Sequence, residues 1–127
     1  MKQIKVTVEK TNTGFSAGAD KYPVYTAGES LDEIRSNIVE ALNLYYEYKG
    51  APAISFDNIK LVLDLASFFN FYKVINAKAL SERIGMNQSL LAQYINGAKK
   101  PSALQTRRIL KGVQQVGKEL VEMQFLL

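Results

Sequence analysis

The 127 residues, 47% apolar and 22% charged, fit one average domain or two small ones of an ordinary globular kind and argue against disorder. With no histidine and no cysteine, the chain excludes Cys/His zinc sites, imidazole bases, Ser-His-Asp and Cys-His catalysis, disulfides and thiol switches; catalysis would need carboxylates, lysines, tyrosines or a borrowed metal. The net charge of +4 is unevenly placed: residues 1–60 carry seven Lys/Arg and eight Asp/Glu, residues 61–127 nine Lys/Arg and four Asp/Glu, which points to an anionic partner for the second half.

The segment Met1–Val8 alternates polar and apolar residues and holds no apolar block of the signal-peptide kind. The longest greasy stretch, Leu61–Phe69, is broken by Asp64 and is too short to span a bilayer. A soluble, cytoplasmic protein is the expectation. Ile4, Val6 and Val8 have the period of a half-buried strand, Thr11-Asn12-Thr13-Gly14 is a turn, and Phe15, Ala17 and Ala19 resume the alternation, so a β-hairpin is predicted. Val24–Ala27 reads as a third strand ended by Gly28. Ser30-Leu31-Asp32-Glu33 has the capping-box pattern, and the helix it opens carries Leu31, Ile34, Ile38, Ala41, Leu42 and Tyr45 on one stripe until Gly50 and Pro52 stop it near Lys49. Ile59, Leu61 and Leu63 read as a fourth strand, with Asp64 placed to cap the next helix.

From Leu65 the pattern is helical to about Glu122, so the chain reads as α+β with two units, residues 1–64 and 65–127. Leu65, Phe68, Phe69, Tyr72 and Ile75 suit a leading helix packed behind the segment 77–96. In that segment Asn76 can cap a helix over Ala77–Ile84, Gly85 can take the left-handed conformation that ends it, and Asn87 can cap a second helix over Gln88–Asn96. Two short helices around a glycine-containing turn make a helix-turn-helix at residues 77–96. Ser102-Ala103-Leu104-Gln105 opens a last helix over 103–122, with Ile109, Val113, Val116, Leu120 and Met123 at heptad spacing. Such a seam serves pairing of two protomers or packing on its own domain. Phe125-Leu126-Leu127 extends that contact or forms a short strand.

The 77–96 segment resembles the Cro/phage-repressor (XRE-like) family: Leu80, Ile84, Met86, Leu91 and Tyr94 stand where that family wants apolar residues around Gly85, and Asn96-Gly97-Ala98-Lys99-Lys100-Pro101 matches its Asn-Gly, basic, Pro run. Ser81 replaces the usual alanine at the helix crossing, and Leu90 is more apolar than that position commonly is. The resemblance implies a lambda-repressor-like all-α domain. In such a motif the second helix enters the major groove with its N-terminal residues over the base edges. Gln88, Ser89 and Gln93 are the candidate base readers, since a carboxamide both donates and accepts and suits adenine, and a hydroxyl suits several bases. Asn87, Asn96, Lys99, Lys100, Arg107 and Arg108 are the candidate phosphate contacts. The same residues also read as ordinary solvated helix surface.

Residues 1–64 resemble the HicB antitoxin family through Gly14-Phe15-Ser16-Ala17 opening the second strand and Gly28-Glu29-Ser30-Leu31-Asp32-Glu33 leading into a helix with Ala41 and Leu42. The joining piece Asp64–Phe71, with Ile75-Asn76 and Ser89–Tyr94, looks like the HicB version that carries a Cro-type domain. Ile34 and the short Asp20–Pro23 connection depart from the pattern. The resemblance implies a small βββαβ unit, like a partial ribonuclease-H fold, that covers an RNA-cleaving toxin of the HicA kind, followed by a domain that represses the operon. Glu29, Asp32, Glu33 and Glu40 are the candidate surface for a basic partner, or equally a solvated helix face. A homodimer or higher oligomer on palindromic double-stranded DNA is expected, with no membrane partner, cofactor, metal or catalytic residue. Rival readings are a stand-alone regulator whose first domain senses another partner, a protein-binding module, and a metal-dependent ribonuclease-H-like nuclease built on Glu9, Glu40 and Asp64.

Overall fold

The alternation at Ile4-Lys5-Val6-Thr7-Val8 turns every second side chain inward: in strand β1 (Ile4–Thr11), Ile4, Val6 and Val8 are buried while Lys5 and Glu9 are exposed. The computed structural model describes residues 3–127. By packing, the chain forms two units, one ending at Phe71 and one running Tyr72–Leu127.

In the first unit β1 pairs antiparallel with β2 (Gly14–Ala19), and β2 pairs antiparallel with β3 (Tyr25–Gly28). Helix α1 (Leu31–Tyr48) and a 3-10 turn (Phe56–Asn58) then lead to β4 (Ile59–Leu63), which lies parallel to β1, giving the order β3-β2-β1-β4. A parallel pair needs a long crossover, and α1 supplies it. The register places Val6 beside Ala19 and Val8 beside Ala17, so one face of the sheet mixes branched and small residues. Against it pack Ile34, Ile38, Leu42 and Tyr46, the first three with no exposure at all. Each such aliphatic side chain contributes roughly 1.5–3 kcal/mol by leaving water. The buried stripe thus runs through Tyr46 rather than the expected Tyr45, and Leu31 stays 51% exposed.

Two local devices fix the ends of these elements. Ser30 Oγ accepts from the Glu33 N–H at 3.2 Å, while the Glu33 carboxylate reaches past Ser30 to accept from the Glu29 N–H at 2.7 Å. Gly14 has φ +153°, and a Cβ there would lie 2.3 Å from the Gly28 carbonyl oxygen, so only glycine lets β2 pass under the entry to α1.

By packing, helix α2 (Leu65–Phe71) belongs to this unit, which therefore ends seven residues beyond the boundary expected after Asp64. The cause lies in Asp64. Its N–H donates to the Val8 carbonyl at 2.9 Å and its carboxylate accepts from the Ser67 N–H at 3.3 Å, which ties the start of α2 to β1. Leu65 and Phe69 are then buried. At the far end the Lys10 ammonium lies over the rings of Phe71 (4.6 Å) and Phe15 (5.1 Å) while donating to the carbonyls of Thr11 and Gly14.

The second unit holds α3 (Ala77–Ile84), α4 (Gln88–Ile95), α5 (Ala103–Glu122) and a 3-10 turn (Met123–Leu126). Leu80, Met86, Leu91, Tyr94 and Ile109 form its buried interior. The expected alternative of a strand at 125–127 gives way to that 3-10 turn. Gly112 lets α5 approach α3, since a Cβ there would lie 2.4 Å from Ile84 Cγ2. Among the described residues, four strands and five α-helices give the α+β class implied by the patterning. Among the described residues no helix is long and apolar enough to cross a membrane.

Candidate nucleic-acid interface

The region begins with three caps. Asn76 Oδ1 accepts from the Ala79 N–H at 3.0 Å and opens α3; Gly85, at φ +66°, ends it, with the Met86 N–H donating back to the Ser81 carbonyl at 2.9 Å. Asn87 Oδ1 then accepts from the Leu90 N–H at 3.1 Å and opens α4. The connection is only Gly85-Met86-Asn87, and buried Met86 anchors its middle. Ser81 is 2% exposed, and its hydroxyl donates to the Lys78 carbonyl at 2.6 Å, so serine fits where the resemblance favours alanine.

Helix α4 turns Leu91 and Tyr94 inward and leaves Gln88, Ser89, Ala92 and Asn96 exposed along its outer side and C-cap; Gln93 and Leu90 are half-buried. Gln88, Ala92 and Asn96 recur every four residues, the spacing of one helix face. Of the three expected base readers, Gln88 and Ser89 lie on that face and Gln93 lies at its edge. Ala92 is the residue that the polar reading passed over. It carries no hydrogen-bonding atom, yet a methyl group on this face is suited to the 5-methyl of thymine, and its i+4 spacing from Gln88 is the signal that finds it.

The expected phosphate contacts divide. Lys99, Lys100 and Arg107 are exposed. Asn87 and Asn96 are exposed too, but their side-chain oxygens are occupied, Asn96 Oδ1 accepting from the Ala98 N–H at 2.8 Å. Arg108 is exposed as well but engaged on its own unit: one guanidinium nitrogen donates to the carbonyls of both Ile84 and Gly85 at 2.8 Å. A helix C-terminus leaves carbonyls unpaired, and a guanidinium is a strong donor for them. Arg108 is therefore a positioning residue that clamps the end of α3 to α5. Arg83 pairs with Glu119, and the hydrogen bond from Arg83, assisted by one from Gln115, holds the Glu119 carboxyl below the usual range. With the boundary after Phe71, the second unit carries nine basic and three acidic residues, a surplus of six.

The four acidic candidates of the first unit do not form one cluster. Glu29, Asp32 and Glu33 sit at the start of α1, where the helix N-terminus favours negative charge, and Glu33 is engaged in the cap. Glu40 lies eight residues beyond Asp32, about 12 Å along the axis. Of the carboxylates available for metal chemistry, Asp64 caps α2 and Glu9 is exposed on β1, and among the described residues no three His, Cys, Asp or Glu come together. Compared with family models, characterised proteins and solved structures, the chain matches none.

Proposed function

We propose that the chain is a DNA-binding antitoxin of the HicB kind that represses its own operon through a Cro/phage-repressor-type helix-turn-helix. The observation that carries this reading is the outward row Gln88, Ser89, Ala92 and Asn96 on α4, flanked by exposed Lys99, Lys100 and Arg107 on a unit with six surplus positive charges. In this reading α4 lies in the major groove. The Gln88 carboxamide pairs with the N6 and N7 edge of adenine, Ser89 meets a neighbouring base, the Ala92 methyl packs on a thymine, and the basic residues hold phosphates without reading sequence. Gln93 reaches the groove only from the flank.

For the first unit, the strand order β3-β2-β1-β4 with β4 parallel to β1 supports the partial ribonuclease-H-like βββαβ reading. That unit would cover a small RNA-cleaving toxin of the HicA kind, with the exposed start of α1 as its acidic contact. The work of the chain is binding, in the cytoplasm, with no cofactor.

The test is the affinity of the full chain for the DNA upstream of its gene as a function of salt. Three phosphate-contacting side chains per copy give a fall of log affinity with log salt at a slope of about −3 per bound copy. A slope near zero removes the DNA reading. Co-purification with the product of the neighbouring gene, and suppression of RNA cleavage by that product, tests the antitoxin half. Intact DNA binding without such a partner leaves a stand-alone regulator.

A further inference from the structure

Helix α4 ends on a residue pair with a reaction of its own. Of the eight asparagines in the chain, Asn96 alone is followed by glycine. Asparagine is a chemically labile residue: its carboxamide carbon is electrophilic, and the nucleophile nearest along the chain is the next backbone nitrogen. A side chain on that next residue obstructs the approach, and Gly97 has none. Other asparagines are tied down. Asn43 is held through both its oxygen and its nitrogen by Ile54, Asn37 donates its amide to the Ala27 carbonyl, and Asn76 and Asn87 cap helices. Asn96 is exposed, its Oδ1 accepts from the Ala98 N–H at 2.8 Å, and among the described residues its Nδ2 has no hydrogen-bond partner. A donor on that oxygen draws electron density from Cγ, the atom under attack, while the amide that leaves is untethered.

We propose that Asn96 is a self-modifying site: it converts with age to aspartate or isoaspartate, and the new carboxylate on the outward face of α4 weakens the hold on DNA. The second part rests on the DNA-binding reading. The Gly97 nitrogen, its proton lost to water, bonds to Asn96 Cγ; the Cγ–Nδ2 bond breaks and ammonia leaves, closing a five-membered succinimide. Water then opens the ring. Attack at Cγ gives aspartate, and attack at the main-chain carbonyl gives isoaspartate, whose main chain runs through Cβ and Cγ and is longer by one carbon. The net change is water in and ammonia out, with no oxidant or reductant. Asn96 has φ −85° and ψ −1°, so the 96–97 peptide rotates before its nitrogen faces Cγ. The hydrogen bond this gives up, Gly97 N–H to the Tyr94 carbonyl, is long at 3.4 Å, and a Cβ at position 97 would meet nothing within 4 Å. Conversion therefore follows local opening of the exposed last turn of α4. Lys99 and Lys100 are exposed just beyond it. A carboxylate at position 96 offsets part of their attraction for phosphates, and isoaspartate also displaces them from α4.

The test keeps the full chain folded at mildly alkaline pH, which favours loss of the attacking nitrogen's proton, and follows its tryptic fragment 84–99 by mass spectrometry. A species with an acid in place of one amide should accumulate, and fragmentation and enzymatic methylation of isoaspartate should place it at residue 96. Asn96→Gln should stay unconverted, because its ring would need six members. A folded chain still fully amidated at residue 96 after roughly ten half-lives of the urea-unfolded chain overturns the proposal, as does earlier conversion at Asn87. The converted fraction, separated by ion exchange, should bind the DNA upstream of the gene roughly tenfold more weakly than fresh chain at ~100 mM salt. Asn96→Asp, which has the charge without the extra carbon, should reproduce part of that loss. Equal affinity of the two fractions overturns the release from DNA. A fresh chain that binds no DNA removes the DNA reading and the release with it, while the mass of the fragment still decides the conversion.

Discussion

Arg108→Ala separates a structural arginine from a phosphate-binding one. The substitution removes two hydrogen bonds at 2.8 Å from a charged donor, and leaves the Ile84 and Gly85 carbonyls to water. Because the side chain is solvent-exposed, each bond is worth about 0.5–1 kcal/mol rather than the larger figure for a buried charged pair, so the loss is about 1–2 kcal/mol. For a unit of this size that corresponds to a fall in midpoint of about 5–15 °C. The assay is thermal denaturation of the full chain by far-UV circular dichroism, with Arg107→Ala as the matched control and no change expected for it. Arg108→Lys should recover only part of the loss, since the lysine ammonium ends one bond short of the guanidinium nitrogen that serves both carbonyls. In DNA binding the order reverses: Arg107→Ala should make the salt slope shallower by about 0.9 per copy and Arg108→Ala should leave it unchanged. An Arg108→Ala variant that melts within ~1 °C of wild type and also loses a unit of salt slope would refute the assignment.

Replacing thymine by deoxyuridine at single operator positions should weaken wild-type binding several-fold at the position facing Ala92, and the effect should vanish in Ala92→Gly; equal sensitivity in both proteins would remove Ala92 from the interface. Gly112→Ala should cost about 1–3 kcal/mol in chemical denaturation, because its Cβ would intrude on Ile84. Burial, together with the Tyr22 hydroxyl 3.4 Å away, pushes the Tyr46 phenol up to about 12 from an ordinary value of 10.0. The unfolded chain therefore loses this proton first, and Tyr46 contributes stability that is complete below pH 10 and is lost as the pH rises toward 12. A Tyr46→Phe variant should show a shallower loss over that window, and an identical pH profile would count against the buried neutral phenol. A fragment ending at Phe71 should fold cooperatively, whereas one ending at Asp64 should not, since the shorter piece lacks Leu65 and Phe69.

What was legible in the sequence was local chemistry. The bounds of α3, α4 and α5 follow from Asn76, Gly85, Asn87 and Ser102, each of which acts on backbone groups within four residues of itself. The strand alternation of β1 and the apolar spacing of α1 were equally readable, because burial of one face has a fixed period. What escaped depends on contacts between distant positions. Arg108 looked like any surface arginine until the fold placed it beside Ile84, 24 residues earlier. The helical pattern of α2 was plain, but nothing in residues 65–71 says that the helix is fastened to β1 through Val8. Ala92 escaped for a different reason: a search for hydrogen-bonding atoms cannot find an exposed residue that presents only a methyl group.

The heptad seam of α5 bears on how such a protein would respond to its own abundance. Where an operator has to be held by two copies and the copies are mostly separate, occupancy rises with the square of the free chain concentration. A promoter governed in this way stays open while the protein is scarce and closes over a narrow range as it accumulates, a threshold that needs no small-molecule effector.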